Sequence, residues 1–342
     1  MGSCRSSSGE KNVMVIWGMV GNSHDASLAV FKDGVLVWAS TANKFSDVPN
    51  DPKHSPIQIQ TAIQSYGKPD LVVWYENPWS KSFRQWMAGQ GSLFSCLKEN
   101  NIDKYLADLG IYCPVKYMKH HHSHAAYGYY TQHNPRATVM CLDSIGEFEC
   151  FTIWSGNNNR KLKKVYSQSY PHSIGLFYSA MTMRCGFKPN AEEYKISEAG
   201  RDIAITENLL LINDLVETFI DGPLDGSKPG VKFKHNLHKG CQWYRPDLTT
   251  EDDMKRLANA TQSVFEMIVK SSAKWCTENL PNRDLIVTGG CALNRDAMDQ
   301  LRETWNSVYV PPNPGDPGSC IGAVLAMNKK TIDFNPQVWY NN

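Results

Sequence analysis

A duplicated α/β architecture, two lobes facing one another across a cleft, is what this sequence predicts. Three observations carry that expectation. An apolar strand, a hairpin and then alternating helices and strands begin at Val13, and the same order begins again at Ala137. The chain is 342 residues long, which favours two lobes over one. Hydrophobic residues make up 42% and charged residues 20%, enough apolar side chains to build a core in each lobe.

The first copy opens on the buried-strand run VMVIWGM from Val13. A hairpin follows, Ala26 to Phe31 and Val35 to Ser40, across the turn signal Lys32-Asp33-Gly34. A helix is expected from Pro56 to Tyr66, a strand from Leu71 to Tyr75, and helical segments to about Leu109. The second copy opens on ATVMCL from Ala137. It turns at DSIGE, returns as CFTIW from Cys150, turns at GNNNR and runs on as LKKVYS. Helices come next, with late strands at Asp284 to Thr288 and Ser307 to Val310. The expected division is an N-terminal lobe over residues 13–118, a C-terminal lobe over 119–330 and a tail over 331–342. The opening segment, residues 1–12, reads as disordered or as an expression remnant.

Charge and cysteine usage exclude several classes. The formal net charge is +1, so a polyanion would have to be held by a local patch and not by the field of the whole molecule. Ten cysteines are scattered without a C-x-x-C pair, the pattern of free thiols in a reducing compartment, with the cytoplasm as the default. No apolar run approaches the roughly 20 residues of a membrane span, and MGSCRSSSGEKN has no signal-peptide core.

The densest chemistry lies in MKHHHSHAA, where four histidines occupy positions 120 to 124. If Ser123 through Tyr130 are helical, His120 and His124 at i and i+4 project from one face and can grip one divalent cation. His121 and His122 point elsewhere. Asp143 ends the apolar run ATVMCLD, which places a carboxylate at a strand tip one strand later. The alternative is a set of helix-capping or solvated histidines.

A meander followed by parallel strands, made twice, is how the actin, hexokinase and Hsp70 type of fold, with its RNase H-like lobes, is built. Its turns between first and second strands approach nucleotide phosphates. Here those turns are Gly18 to Asp25 and Asp143 to Glu147. In VTGGCALN a strand ends at Thr288, Gly289 and Gly290 turn tightly, and a helix begins near Ala292, an arrangement suited to an adenosine or phosphate group.

The segments HHHSHAA, LDSIGE, HSIGLFYSAMTMRCGFKPNAEEYK, TGGCALN and VPPNPGDPGSCIGA occur in the order found in the O-carbamoyltransferases of nodulation-factor and antibiotic biosynthesis. From about Val13 to Ala326 the chain resembles the amino-terminal domain of that family, which is related to the threonylcarbamoyl-transferring subunit of the tRNA-modification machinery. The resemblance implies a duplicated actin-like fold, a divalent ion between the lobes (Fe2+ first, Mn2+ or Zn2+ otherwise), and carbamoyl transfer from carbamoyl-adenylate to a hydroxyl. It also implies ATP and carbamoyl phosphate as the source of the donor. Carried over by motif, the metal ligands are His120, His124, Asp143 and Asp316. His24, in SHDAS, is then the candidate base and Asp25 its orienting partner. Glu193 and Lys195 match the Glu-Tyr-Lys motif and, with Gly289, Gly290 and Asn294, are the expected nucleotide and donor contacts. Family members continue into a domain that makes the adenylate, so either a separate adenylate-forming protein is a partner or this single domain uses carbamoyl phosphate with ATP directly. The run ISEAGRDI departs from the family's usual text.

The acceptor is expected at the loop DGSKPGVKFKHNLHKGCQWYRPD, where cations alternate with rings; Lys232, Lys234, Trp243 and Arg245 are its candidate contacts. Such a patch suits a nucleotide or DNA acceptor, with the hydroxymethyl group of a pyrimidine such as 5-hydroxymethylcytosine as the leading choice. Other readings are a sugar or antibiotic hydroxyl, a tRNA-threonylcarbamoylation-type subunit, and a non-catalytic nucleotide-binding module.

Overall fold

The computed structural model describes residues 13–340, so the opening segment of residues 1–12 lies outside the described residues. Strands β1 (Val15–Val20), β2 (Ser27–Lys32) and β3 (Val35–Thr41) form an antiparallel meander. β4 (Leu71–Trp74) and β5 (Val115–Tyr117) lie parallel on the other side of β1, giving the order β3-β2-β1-β4-β5. In the second half β6 (Ala137–Gly146), β7 (Glu149–Gly156) and β8 (Leu162–Ser169) repeat the meander. After a short ribbon of β9 (Ile220–Asp221) and β10 (Lys232–Phe233), β11 (Asp284–Thr288) and β12 (Ser307–Tyr309) add in parallel beside β6. The second order, β12-β11-β6-β7-β8, is the first repeated. Two sheets of this shared topology make the actin/hexokinase-like fold that the sequence predicts.

Burial follows strand position. Every residue of the central β1 is buried, because helices or sheet cover both its faces. The edge strand β8 alternates half-buried and exposed residues along most of its length, as one-sided cover requires. Sequence signals set the helix ends: Ser55 caps Pro56–Tyr66 through the amide of Ile57, with Pro56 at the first position. Thr250 and Asp253 form a capping box on Glu251–Asn279, whose first turn carries three acidic residues.

Two helices join the lobes. Ser319–Asn328 packs on β1, β2 and β4, while His120–Tyr130 packs on β6, β7 and β11, and the two helices pack against each other. One apolar core therefore runs from Trp17 and Trp74 through Ala125 and Val324 to Val139 and Ile286. Gly322 permits this, since a Cβ there would lie 1.9 Å from the Ser123 carbonyl oxygen. A second core lies on the other face of the second sheet, around Phe151, Phe177 and Phe265. Among the described residues all nine cysteines are free, and no helix is long and apolar enough to cross a membrane.

Candidate metal centre and its two cavities

The helix begins at His120, three residues earlier than the sequence suggests, so both of its candidate ligands sit on helical backbone. Their imidazoles meet edge to edge, Nε2 to Nε2 at 3.0 Å. Asp143 projects from the inner end of β6, its Oδ2 2.9 Å from His120 Nε2 and 3.8 Å from His124 Nε2. Asp316 arrives from the loop before Ser319–Asn328, with Oδ1 3.4 Å from His120 Nε2 and 3.3 Å from His124 Nε2. All four side chains are largely withdrawn from solvent. One donor atom from each falls within 4.8 Å of the others.

This geometry fits a bound cation. Donor atoms held by one ion at about 2.0–2.2 Å stand roughly 3.0–3.6 Å apart, and most of these pairs fall in that range. One outer nitrogen is oriented as a ligating histidine requires, His124 Nδ1 meeting Ser319 Oγ at 3.1 Å, while His120 Nδ1 is buried without a hydrogen-bond partner and faces Glu76 Oε2 at 3.8 Å. Electrostatics agree. Burial pushes the Asp143 carboxyl up, yet the His120 hydrogen bond and neighbouring histidines outweigh it and hold its pKa below the usual range. Burial opposes charge on His120 too, but Asp316, Asp143 and Glu76 raise its pKa well above the ordinary value. Two carboxylates that draw a proton onto a buried imidazole are a site short of one positive charge.

Behind the cluster, Glu76 pairs with Lys81 at 2.6 Å, and both are buried. Burial raises the Glu76 pKa, while Lys81 and His120 lower it by more. From the sequence, Glu76 in the stretch YENP reads as structural, like Arg84, and Lys81 does not stand out.

In front of it open two cavities that meet at the cluster. The larger, ≈ 630 Å³, lies in the second lobe between Glu193, Tyr178, Asn294 and Arg201. The smaller, ≈ 400 Å³, runs toward Lys44, Asn43, Asn313 and Tyr340. His24, Asp25, Asp143, Gly290 and Leu293 line both. His24 stands half-exposed in the β1–β2 turn, Nδ1 3.0 Å from Asp25 Oδ2 and Nε2 4.0 Å from Asp316 Oδ2. The Asp25 hydrogen bond raises its pKa, burial lowers it and Asp316 raises it again, leaving it at about 9.

The glycine turn closes the shared wall. Gly289 has φ +90°, and a Cβ there would lie 2.1 Å from the Leu142 carbonyl oxygen. Its neighbour Gly290 donates its amide to Asp143 Oδ1 at 3.2 Å. The chain then makes a 3-10 turn, Gly290–Leu293, before the helix Arg295–Gln300, which begins later than the expected start near Ala292. Asn294 caps that helix and joins Tyr178 and Gln262 in a hydrogen-bonded wall. Glu193 is fixed by Ser179 Oγ at 2.8 Å and the Asn190 amide at 2.6 Å.

Other expected contacts lie elsewhere. Lys195 lines neither cavity; its ammonium pairs with Glu192 at 2.6 Å and lies over the Phe187 ring. Arg201, from the run that departs from the family text, lines the larger cavity instead and reaches Asp296 at 3.2 Å. The basic loop also stays outside both cavities. Lys232 is exposed on β10, Lys234 donates to the Glu217 carbonyl, and Trp243 packs on Phe219 and His235. Arg245 is matched by Asp247 at 2.8 Å and Asp214 at 3.6 Å, so its charge is not free for a polyanion.

The family model described as the carbamoyltransferase N-terminus matches residues 75–325. An uncharacterized protein of Synechocystis sp. is 27% identical over 349 residues, covering 91% of this chain and 56% of that protein. Nodulation protein U of Rhizobium fredii is 40% identical over 82 residues, 22% of this chain and 14% of that one. The chain thus spans little more than half the length of the Synechocystis relative. Among solved structures, component A of (R)-2-hydroxyglutaryl-CoA dehydratase from Acidaminococcus fermentans aligns over 92% of this chain and 99% of its own, at 12% identity and a TM-score of 0.49.

Proposed function

This chain belongs to the carbamoyltransferases through their amino-terminal domain, and from that premise we propose that it transfers a carbamoyl group from a carbamic–phosphoric anhydride to a hydroxyl. The anhydride is carbamoyl-adenylate, derived from ATP and carbamoyl phosphate. The observation that carries the proposal is the convergence of His120, His124, Asp143 and Asp316 where two cavities meet beside His24.

A divalent ion held by these four residues would supply Lewis-acid polarisation of the carbamoyl carbonyl. A set of two imidazoles and two carboxylates suits Fe2+, with Mn2+ and Zn2+ as alternatives. The chain's own residues do the rest. The larger cavity takes the nucleotide: Glu193 accepts from sugar hydroxyls, the Tyr178 and Phe265 rings face the base, and Arg201, bridged to Asp296, lines the wall. The Gly289-Gly290 turn lets backbone approach the anhydride closely. His24, once neutral, takes the acceptor proton through Nε2 while Asp25 holds Nδ1. The hydroxyl oxygen bonds to the carbamoyl carbon, the carbon–oxygen bond to phosphate breaks, and AMP leaves with the electron pair.

A hydroxymethylpyrimidine, as nucleotide or in DNA, is the proposed acceptor, with a sugar hydroxyl as the alternative. The adenylate comes from this chain or from a separate protein, and the free thiols suit a cytoplasmic setting. The test is mass spectrometry of each acceptor class after incubation with ATP and carbamoyl phosphate, alone and with the carboxy-terminal half of a longer relative. Gain of one carbamoyl group is expected; none under either condition overturns the reading.

A further inference from the structure

We propose that the smaller cavity is the acceptor subsite, reached from the side opposite the nucleotide, and that it takes a single ring-bearing hydroxyl compound with at most one anionic group. This rests on the transferase reading above and adds to it where the second substrate sits.

The two cavities share His24, Asp25, Asp143, Gly290 and Leu293 and otherwise diverge, so ligands in each meet only at that wall. A donor filling the larger cavity leaves the smaller as the other way to His24. Its inner end is acidic, with Asp25, Asp143 and Asp316. A divalent ion held by Asp143 and Asp316 would offset those two charges, leaving Asp25 and His24 as the acceptors that a hydroxyl meets there. Its outer end is different: Lys44 provides one ammonium, Thr41, Asn43 and Asn313 provide uncharged polar groups, and Tyr340 provides a ring that is 66% exposed. Lys44 is already positioned, donating to the Trp339 carbonyl and lying 5.5 Å from the Tyr340 ring centroid. A flat ring stacks on Tyr340, one negative charge meets Lys44, and the hydroxyl points inward. A volume of ≈ 400 Å³ admits one nucleotide, free or turned out of a strand, or a small amino sugar. The hydroxyl proton goes to His24 Nε2 as the oxygen bonds to the carbamoyl carbon, the carbon–oxygen bond to the adenylate phosphate breaks, and AMP leaves from the other cavity.

Both ring sources can be tried directly by calorimetric titration of the full chain with 5-hydroxymethyl-2′-deoxycytidine monophosphate, with an aminoglycoside and with ATP. Asn43→Trp fills the smaller cavity, and Ser179→Trp fills the larger. Binding of one acceptor probe should weaken about tenfold or more in Asn43→Trp and stay within about twofold in Ser179→Trp, with ATP showing the reverse. Tyr340→Ala, an exposed truncation that leaves the fold intact, should also weaken the acceptor probe alone. Retention of the probe in both Asn43→Trp and Tyr340→Ala, or its loss only in Ser179→Trp, overturns the assignment, as does failure of both probes to bind the wild type. If a probe binds as expected but wild-type protein supplied with donor yields no carbamoylated product, the transferase reading fails and the subsite stands.

Discussion

The β1–β2 turn of the first lobe and the β6–β7 turn of the second occupy equivalent places in a repeated topology, yet they perform opposite duties. The first presents His24 and Asp25, partly exposed and bonded mainly to each other. The second is reached through the irregular end of β6, where a buried Asp143 aims at two histidines of the joining helix. The repeated topology supplies two symmetrical approaches to one cleft, and the proposed function gives one approach the proton acceptor and the other the ligand cage. The strands after them diverge likewise: β4 leads to the buried Glu76–Lys81 pair, while β11 leads to the bare Gly289-Gly290 turn.

The largest effect is expected from emptying the second turn's cage. His124→Ala should lower bound metal from one equivalent to none, measured by elemental analysis. Transfer should fall on the order of 10³-fold or more, since several kcal/mol of carbonyl polarisation is lost. Circular dichroism should be unchanged. Full metal content in that variant would dissolve the contrast between the turns. His122, stacked on Trp154 and away from the cluster, should cost far less when replaced.

On the first turn, His24→Gln should slow transfer by about 10²–10⁴-fold while metal content and ATP affinity persist. A base acts when neutral, so the wild-type rate should rise with pH across a window between the ordinary histidine value of 6.5 and about 9. His24→Gln should lose that limb. A variant that instead loses metal would make the first turn part of the cage.

The glycine turn gives a smaller, separable effect. A Cβ at Gly290 would stand 3.2 Å from Asp143 Oδ1, so Gly290→Val crowds both the nucleotide wall and a ligand. ATP affinity should fall about 10–100-fold by calorimetry. Unchanged affinity would move the nucleotide out of the larger cavity.

How much of this is legible in the sequence depends on the range of the interaction. Strand order can be read because alternation and turn residues are local, and the pairing of His120 with His124 because helical spacing is local too. Asp143 is marked by its place at the end of an apolar run. Asp316 comes only through family resemblance, since no short-range pattern ties residue 316 to residue 120. Glu76, Arg201 and the Lys44–Tyr340 wall are invisible, because tertiary packing alone brings them to the cleft. Lys195 matches a motif, yet a nearer carboxylate holds its ammonium.

The smallest effect concerns what stands behind each turn, and at neutral pH it vanishes. Behind the second turn are charges: Asp143, His120 and the Glu76–Lys81 pair. Behind the first is a neutral histidine. His54 is buried, its Nε2 3.1 Å from the Ser27 carbonyl oxygen at the start of β2 and its Nδ1 2.8 Å from Tyr105 Oη. A neutral ring satisfies both groups, donating at Nε2 and accepting the phenol proton at Nδ1. Burial lowers its pKa to about 4, against a partial rise from the Ser27 hydrogen bond. In the unfolded chain the group titrates near 6.5, so above that pH it is neutral in both states and contributes no pH dependence. As pH falls from 6.5 toward 4 the unfolded chain takes a proton that the folded one refuses, and stability drops by about 3 kcal/mol from this group in all. Denaturant titrations at steps between pH 7 and 4 should show it. In His54→Gln, which cannot titrate, the loss should be shallower by close to one proton. An equal slope in wild type and variant would show that His54 is charged in the folded state, and that the first turn, like the second, rests on charges.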